Sequence, residues 1–210
     1  LNSVNFFLFI MDSVEAYDAY SPFLYDLFHK KFLLRRRALS QLALKAGGCV
    51  LDVGCGTGLM FPALLHAVGV GGKLTAVDAS STMISAAQKR VVAKKWKNVV
   101  LINGDSGKLS FAGEPFDAVL SFLSLSCVED HMQVVSTVMD SLKKGGRFVI
   151  VDGKPFSFKL LNREMPLLRS SASWDASKDV LGDVNKKYGD QVVYENTYAL
   201  GSDFMLVLKK

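Results

Sequence analysis

Short β-rich apolar runs alternate with amphipathic stretches along most of this chain, and glycine or Ser/Asp clusters punctuate the joins. The runs Cys49 to Val53, Lys73 to Asp78, Val99 to Asn103, Phe116 to Phe122 and Arg147 to Asp152 read as strands bounded by turn residues. Residues 59–68, 81–94 and 129–142 read as helices. Ser80 or Ser81 offers an N-cap to the second, and Lys143-Lys144-Gly145-Gly146 stops the third. Residues 14–46 are helical in pattern, with Phe23, Leu27, Leu34, Leu39 and Leu42 at mixed three- and four-residue steps. Pro22 suits a helix start, and Gly47-Gly48 ends the region. Gln191 to Tyr198 and Phe204 to Lys209 read as a terminal hairpin joined at 199–203. The stretch from Phe156 to Gly189 carries no element in this reading.

Strands alternating with helices imply right-handed βαβ units and a doubly wound parallel sheet covered on both faces. The expected fold is therefore α/β, Rossmann-like and mostly parallel, with an antiparallel C-terminal hairpin strand. Neither a repeat nor a Pro/Gly/Ser linker interrupts the sequence, so residues 1–210 are expected to form a single domain. Within it, 1–13 is an extension or arm, 14–46 an N-terminal helical cap and 47–210 the sheet core.

Composition narrows the class. Half the 210 residues are hydrophobic and 21% are charged, which excludes a disordered or fibrous chain. The net charge of +5 favours anionic surfaces, but Lys and Arg are spread along the chain, so it does not argue for nucleic acid. Cys49, Cys55 and Cys127 fit neither a zinc spacing nor a disulfide framework, and a reducing cytoplasm is the expectation. The apolar run within LNSVNFFLFI is far below the ~20 residues of a membrane span and lacks the basic leader of a signal peptide.

In such a sheet the ligand crevice lies beyond the C-terminal strand ends. Those ends hold Asp52 to Gly58, Asp78 with Ala79, Asn103 to Ser106, and Ser121-Phe122. Gly54, Gly56 and Gly58 allow a tight turn with close backbone approach to a ligand. Their G-x-G-x-G spacing departs from the dinucleotide G-x-G-x-x-G. Asp52 would repel a diphosphate but suits a cationic ligand such as S-adenosylmethionine (SAM), with its ammonium and sulfonium groups. Asp78 can accept from a ribose diol or belong to a helix start. Asp105, next to Gly104 and Ser106, can meet an adenine amino group or hold a turn. Met83 and Ser106 can line the adenine slot, Met83 with the alternative of joining the core, and Ser121 and Phe122 fall near a reacting methyl.

VLDVGCGTG, LTAVDAS, INGDS, FDAVLSFLSLSCVED and LKKGGRFVIVDGK, in this order and spacing, resemble the class I SAM-dependent methyltransferases. Within them the set looks like the ubiquinone/menaquinone-biosynthesis and phospholipid methyltransferase branch. The resemblance spans roughly residues 14–154 and implies a seven-stranded sheet with its last strand antiparallel. It also implies Asp52, Gly54 and Gly56 at the methionine end, Asp78 at the ribose and Asp105 at the adenine. Tyr17 and Tyr25, in AYDAYSPFLYD, match a segment that in such enzymes lies over the cofactor.

The expected activity is methyl transfer from SAM to a small or lipid-like acceptor, a phospholipid or quinone. The alternatives are a nicotinamide (NAD)-dependent oxidoreductase and a non-catalytic SAM-binding module. His131 is the best-placed general base of the three histidines, against the plain alternative of a solvated first-turn residue. The tract containing Lys30, Lys31, Arg35, Arg36 and Arg37 could hold the protein peripherally on an anionic membrane, with 94–97 (Lys-Lys-Trp-Lys) adding to it. Its alternative is a solvated helix face. No metal site is expected.

Overall fold

The computed structural model describes Asp26 and residues 31–111, 115–154 and 178–210. Numbered among those residues, the elements are α1 (Phe32–Gln41), β1 (Cys49–Val53), α2 (Phe61–Val68), β2 (Lys73–Asp78), α3 (Ser81–Lys94), β3 (Val99–Asn103) and β4 (Phe116–Phe122). A 3-10 turn (Leu125–Cys127) leads to α4 (His131–Ser141), β5 (Leu142–Gly153), α5 (Val180–Tyr188), β6 (Val192–Tyr198) and β7 (Asp203–Lys209).

One seven-stranded sheet takes the order β3-β2-β1-β4-β5-β7-β6. The strands from β3 to β5 pair in parallel. β7 pairs antiparallel with both β5 and β6, so it alone runs against the rest. The terminal hairpin folds back and slots its second strand beside β5. This is the mostly parallel, Rossmann-like sheet that the strand spacing predicts.

Alternation within the strands divides the core in two. Val50, Ala76 and Leu120 join α1, α2 and α3 on one face, around Phe61 and Leu64. Leu51, Val77 and Val119 join α4 and α5 on the other, around Phe148 and Phe204. Covering both faces removes polar alternation from the central strands, which is why β1 and β4 read as apolar runs, whereas β6 at the sheet edge stays largely exposed. Burial of each large side chain contributes roughly 1.5–3 kcal/mol.

Caps set the helix starts. Ser80 Oγ accepts the Met83 N–H at 3.1 Å and starts α3, which ends at Lys95 in left-handed backbone (φ +56°). Asp130 accepts the Gln133 N–H at 2.9 Å and starts α4 at His131, two residues later than its apolar period suggests. α2 also starts two residues late, because the Phe61 N–H returns to the Gly58 carbonyl at 3.1 Å as the glycine turn closes.

Two regions differ from the sequence reading. Lys143 to Gly146 is not a free helix stop. β5 already begins at Leu142, paired with Phe116, and the extra residues bulge out before Arg147 pairs with Ala118. Gly145 takes φ +82° there and donates to the Lys210 carbonyl at 2.7 Å. The second difference is α5, a helix within the unassigned stretch, capped by Asp179 on the Gly182 N–H at 3.0 Å.

Candidate active site

The chain runs β1, β2, β3 to one edge of the sheet and then returns to place β4 on the other side of β1. That reversal makes the C-terminal ends of β1 and β4 a topological switch point, the place where open α/β sheets bind ligands. Val53 and Ser121 are register partners at this edge.

The turn after β1 takes positive φ at all three glycines, +67° at Gly54, +55° at Gly56 and +80° at Gly58. L side chains are strained there. At Gly54 the space is also closed: a Cβ would lie 2.2 Å from Ser124 Cβ. Ser124 Oγ donates to the Val53 carbonyl at 3.0 Å and shares a 2.7 Å hydrogen bond with Ser121 Oγ. The N–H groups of Gly54 and Cys55 both reach the Val77 carbonyl, at 2.8 and 3.0 Å. The turn is thus clamped from β2 and from the loop after β4.

Asp52 sits beneath this turn, 2% exposed. Its Oδ2 and Thr75 Oγ1 are the buried side-chain polar atoms without a hydrogen-bond partner among the described residues. Burial pushes the Asp52 carboxyl up to about 7, opposed by the positive charge of Arg35 and reinforced by the negative charge of Asp78. An arriving cation would supply what this carboxylate lacks. Arg35, in α1, places its guanidinium 4.3 Å from the ring centre of Phe122, itself 5% exposed at the end of β4.

Asp78 is half-buried and accepts the Gly56 N–H at 2.7 Å and the Ser80 N–H at 3.0 Å. It joins β2 to the glycine turn, while Ser80 does the capping of α3. Asn103 donates to the carbonyls of Asp78 and Ala79 at 3.0 and 2.9 Å, and Gly104 N–H to that of Asp78 at 3.0 Å. Asp105 holds its own turn through the Gly107 N–H at 2.9 Å and pairs with Lys108 at 3.1 Å. Ser106 and Met83 are buried, at 7% and 1% exposure, and Ala79 is exposed.

Other candidates land elsewhere. His131 is buried rather than solvated, and its Nε2 lies 2.9 Å from Asp183 Oδ2, joining α4 to α5 on the face opposite α1. His66 is exposed on α2. Trp96 turns inward, its ring edge-on to Phe61 at 6.4 Å, and does not extend a basic surface. Of the α1 tract, Lys31 is held by Asp203 at 2.8 Å and Arg35 turns toward Phe122, leaving Arg36 and Arg37 exposed. Tyr17, Tyr25 and Lys30 lie outside the described residues.

Sequence reasoning missed Ser124, Asp152 and Thr57. Buried Asp152, at the end of β5, takes the Ser126 N–H at 3.0 Å and the Ser126 hydroxyl at 2.6 Å, fixing the loop that carries Ser124. Burial raises its pKa, with those hydrogen bonds opposing. An acid at the end of β5 was the available signal.

Comparison with known proteins agrees with this fold. Residues 50–146 match the family model described as a methyltransferase domain. A SAM-dependent methyltransferase from Aquifex aeolicus superposes with a TM-score of 0.70 at 20% identity, over 90% of this chain and 98% of that one. A Haemonchus contortus N-methyltransferase solved with phosphomonomethylethanolamine and S-adenosylhomocysteine superposes with a TM-score of 0.69 at 20% identity, over 93% of this chain and 46% of that one. The fold is the one seen in these SAM-dependent methyltransferase structures, and residues 50–146 are the part that matches the methyltransferase-domain model.

Among sequence relatives the chain is similar to the demethylmenaquinone methyltransferases. That of Shouchella clausii is 33% identical over 147 residues, 66% of this chain and 62% of the relative. That of Alkalihalophilus pseudofirmus is 35% identical over 118 residues, 56% of this chain and 50% of the relative. The chain therefore spans between half and two thirds of the length of these relatives.

Proposed function

We propose that this chain is a methyltransferase that uses SAM and places the methyl group on a quinone-like acceptor dissolved in a membrane. The observation that carries the cofactor reading is the buried Asp52 carboxyl, whose Oδ2 has no hydrogen-bond partner among the described residues, beneath a glycine turn whose other wall is Asp78. An α-ammonium group fits Asp52, and a ribose diol fits Asp78. Diphosphate would meet like charge at both acids, which disfavours the nicotinamide alternative.

Bound SAM would supply a methyl group on a sulfonium whose departure leaves a neutral thioether. The chain's own work is then to align the acceptor and keep water out, and orientation can be worth several kcal/mol. Phe122 offers an apolar wall at the end of β4, and Arg35 sets a positive charge over it. That charge suits an acceptor whose reacting ring carries a phenolate oxygen, as a reduced quinone does on losing a proton. His131, tied to Asp183, takes no part in this reading.

The acceptor assignment is supported by the sequence relatives, whose name specifies demethylmenaquinone. Its test is transfer of labelled methyl from SAM to reduced demethylmenaquinone in detergent, beside a phospholipid extract and a soluble-metabolite extract. Label in the quinol fraction alone supports the reading. Label in either extract and none in the quinol overturns the acceptor. S-adenosylhomocysteine binding with no transfer to any fraction favours a non-catalytic SAM-binding module.

A further inference from the structure

Thr57 lies between the second and third glycines of the turn and is 1% exposed. Its hydroxyl and its carbonyl are both taken by residues distant in sequence. Its hydroxyl donates to the carboxylate of Asp26, which precedes α1. Its carbonyl accepts from Nε of Arg90, in α3, at 2.9 Å. The same guanidinium places a terminal nitrogen 2.5 Å from the other oxygen of Asp26. The three groups close a ring: carboxylate, hydroxyl-bearing residue, guanidinium and back to the carboxylate.

This ring touches the turn at the one residue between Gly56 and Gly58. Glycine backbone is the most costly of all to order, so a turn of three glycines left to itself would charge that ordering to each binding event. The side chains of Arg90 and Asp26 are only 28% and 30% exposed, and charge-assisted bonds of this type are shorter and stronger than neutral ones. A planar guanidinium can meet a carbonyl and a carboxylate at once, whereas an ammonium is a point charge.

We propose that Asp26 and Arg90 are positioning residues for the cofactor: by gripping Thr57 they hold the glycine turn in its binding shape before the ligand arrives. The proposal rests on the SAM reading of the turn. Neither residue touches the nucleoside in this scheme. Their effect passes through the backbone of 54–58, and by linkage a ligand that orders the turn strengthens the ring in return.

The test compares the wild type with Asp26→Asn, Arg90→Gln, Arg90→Lys, Asp26→Glu and the Asp26→Asn/Arg90→Gln double variant. Calorimetry gives S-adenosylhomocysteine affinity, and amide hydrogen exchange without ligand follows Gly54 to Gly58, with β5 as control. Asp26→Asn and Arg90→Gln are each expected to weaken binding about 10-fold, within the usual range for coupled sites. The double variant should fall little further, because either change opens the same ring. Arg90→Lys should stay weak, and Asp26→Glu should recover much of the affinity. Exchange should quicken at the turn and not in β5, and KM for SAM should rise with kcat little changed. Unchanged affinity, additive losses, or exchange that quickens equally in β5 overturns the proposal. Wild-type protein that ignores S-adenosylhomocysteine overturns the cofactor reading instead, and the ligand-free exchange still decides whether the ring orders the turn.

Discussion

Asp78 accepts the backbone N–H of Gly56 at 2.7 Å, so the acid that ends β2 is built into the turn that ends β1. Its other oxygen takes the Ser80 N–H at 3.0 Å. A carboxylate has about four acceptor positions, so two backbone bonds and a ribose diol are compatible. Asp78→Ala is therefore expected to do two things. S-adenosylhomocysteine binding should drop by roughly 100-fold or more, and stability should fall by about 1–3 kcal/mol as two backbone donors lose their acceptor. Asp78→Asn keeps one acceptor oxygen and should recover more stability than affinity. Calorimetry and thermal denaturation separate the two effects, and affinity within a factor of two of wild type in Asp78→Ala would remove Asp78 from the site.

Gly54 tests the close approach of β1 and β4. Gly54→Ala meets Ser124 Cβ at 2.2 Å and also forces an L residue to φ +67°. The clash belongs to Ser124, and the backbone strain does not. Gly54→Ala should therefore lower both melting temperature and cofactor affinity. Adding Ser124→Gly should restore part of each, leaving about 1–2 kcal/mol of backbone strain. A double variant no better than Gly54→Ala alone would show that the contact with Ser124 is not what limits this position.

The central strands were legible because both of their faces are buried, so apolar runs such as Cys49–Val53 and Phe116–Phe122 mark their own ends. The strand-end acids were legible for the same reason: a polar residue closing an apolar run stands out. What local pattern could not show was direction. Arg35, Arg36 and Arg37 are equivalent in sequence, yet each is turned about 100° from the next around the helix, and packing alone decides that Arg35 faces Phe122. Trp96 beside three lysines looked like surface and is held by Phe61 from another helix. Helix α5 is nine residues long and contains Gly182, too short and too broken to stand out before Asp179 caps it. The Asp26–Thr57–Arg90 ring joins three segments that no local pattern connects.

Asp52 makes the site pH-sensitive. Burial, opposed by Arg35 and reinforced by Asp78, moves its carboxyl from 3.8 up to about 7. Between those values the folded protein holds a proton that the unfolded chain has released, so stability must fall as pH rises. The contribution is fully present below the unfolded value and is lost once pH passes about 7. Asp52→Asn should remove this slope, gaining on unliganded wild type by an amount on the order of 4 kcal/mol above neutrality. Binding runs the other way. A ligand ammonium favours ionised Asp52, so S-adenosylhomocysteine affinity should rise between about pH 6 and pH 8 with release of a proton. Asp52→Asn should bind weakly with no such rise. Calorimetry in two buffers of different ionisation heat measures the proton directly, and a flat wild-type profile would place the ammonium elsewhere.

The surface of α1 gives a prediction about membranes. Phe32 and Leu33 are each 68% exposed, and Arg36 and Arg37 follow one turn later on the same side of the helix. Leu34 and Ala38 point into the core, so the exposed pair is not left over from packing. Among the described residues no helix is long and apolar enough to cross a membrane. Each basic residue near an anionic surface contributes about 1 kcal/mol, and each inserted large apolar side chain roughly 1.5–3 kcal/mol at full burial. Vesicles containing phosphatidylglycerol should therefore sediment with the protein better than pure phosphatidylcholine vesicles, and salt should weaken the association. Phe32→Ser with Leu33→Ser, or Arg36→Gln with Arg37→Gln, should reduce it roughly 10-fold or more. Arg35→Gln separates the two roles of the basic tract, because its guanidinium lies over Phe122. It should leave vesicle binding unchanged and slow methyl transfer to the quinol. Loss of vesicle binding with full transfer activity in Arg35→Gln would return this residue to the surface and take the positive charge out of the acceptor site.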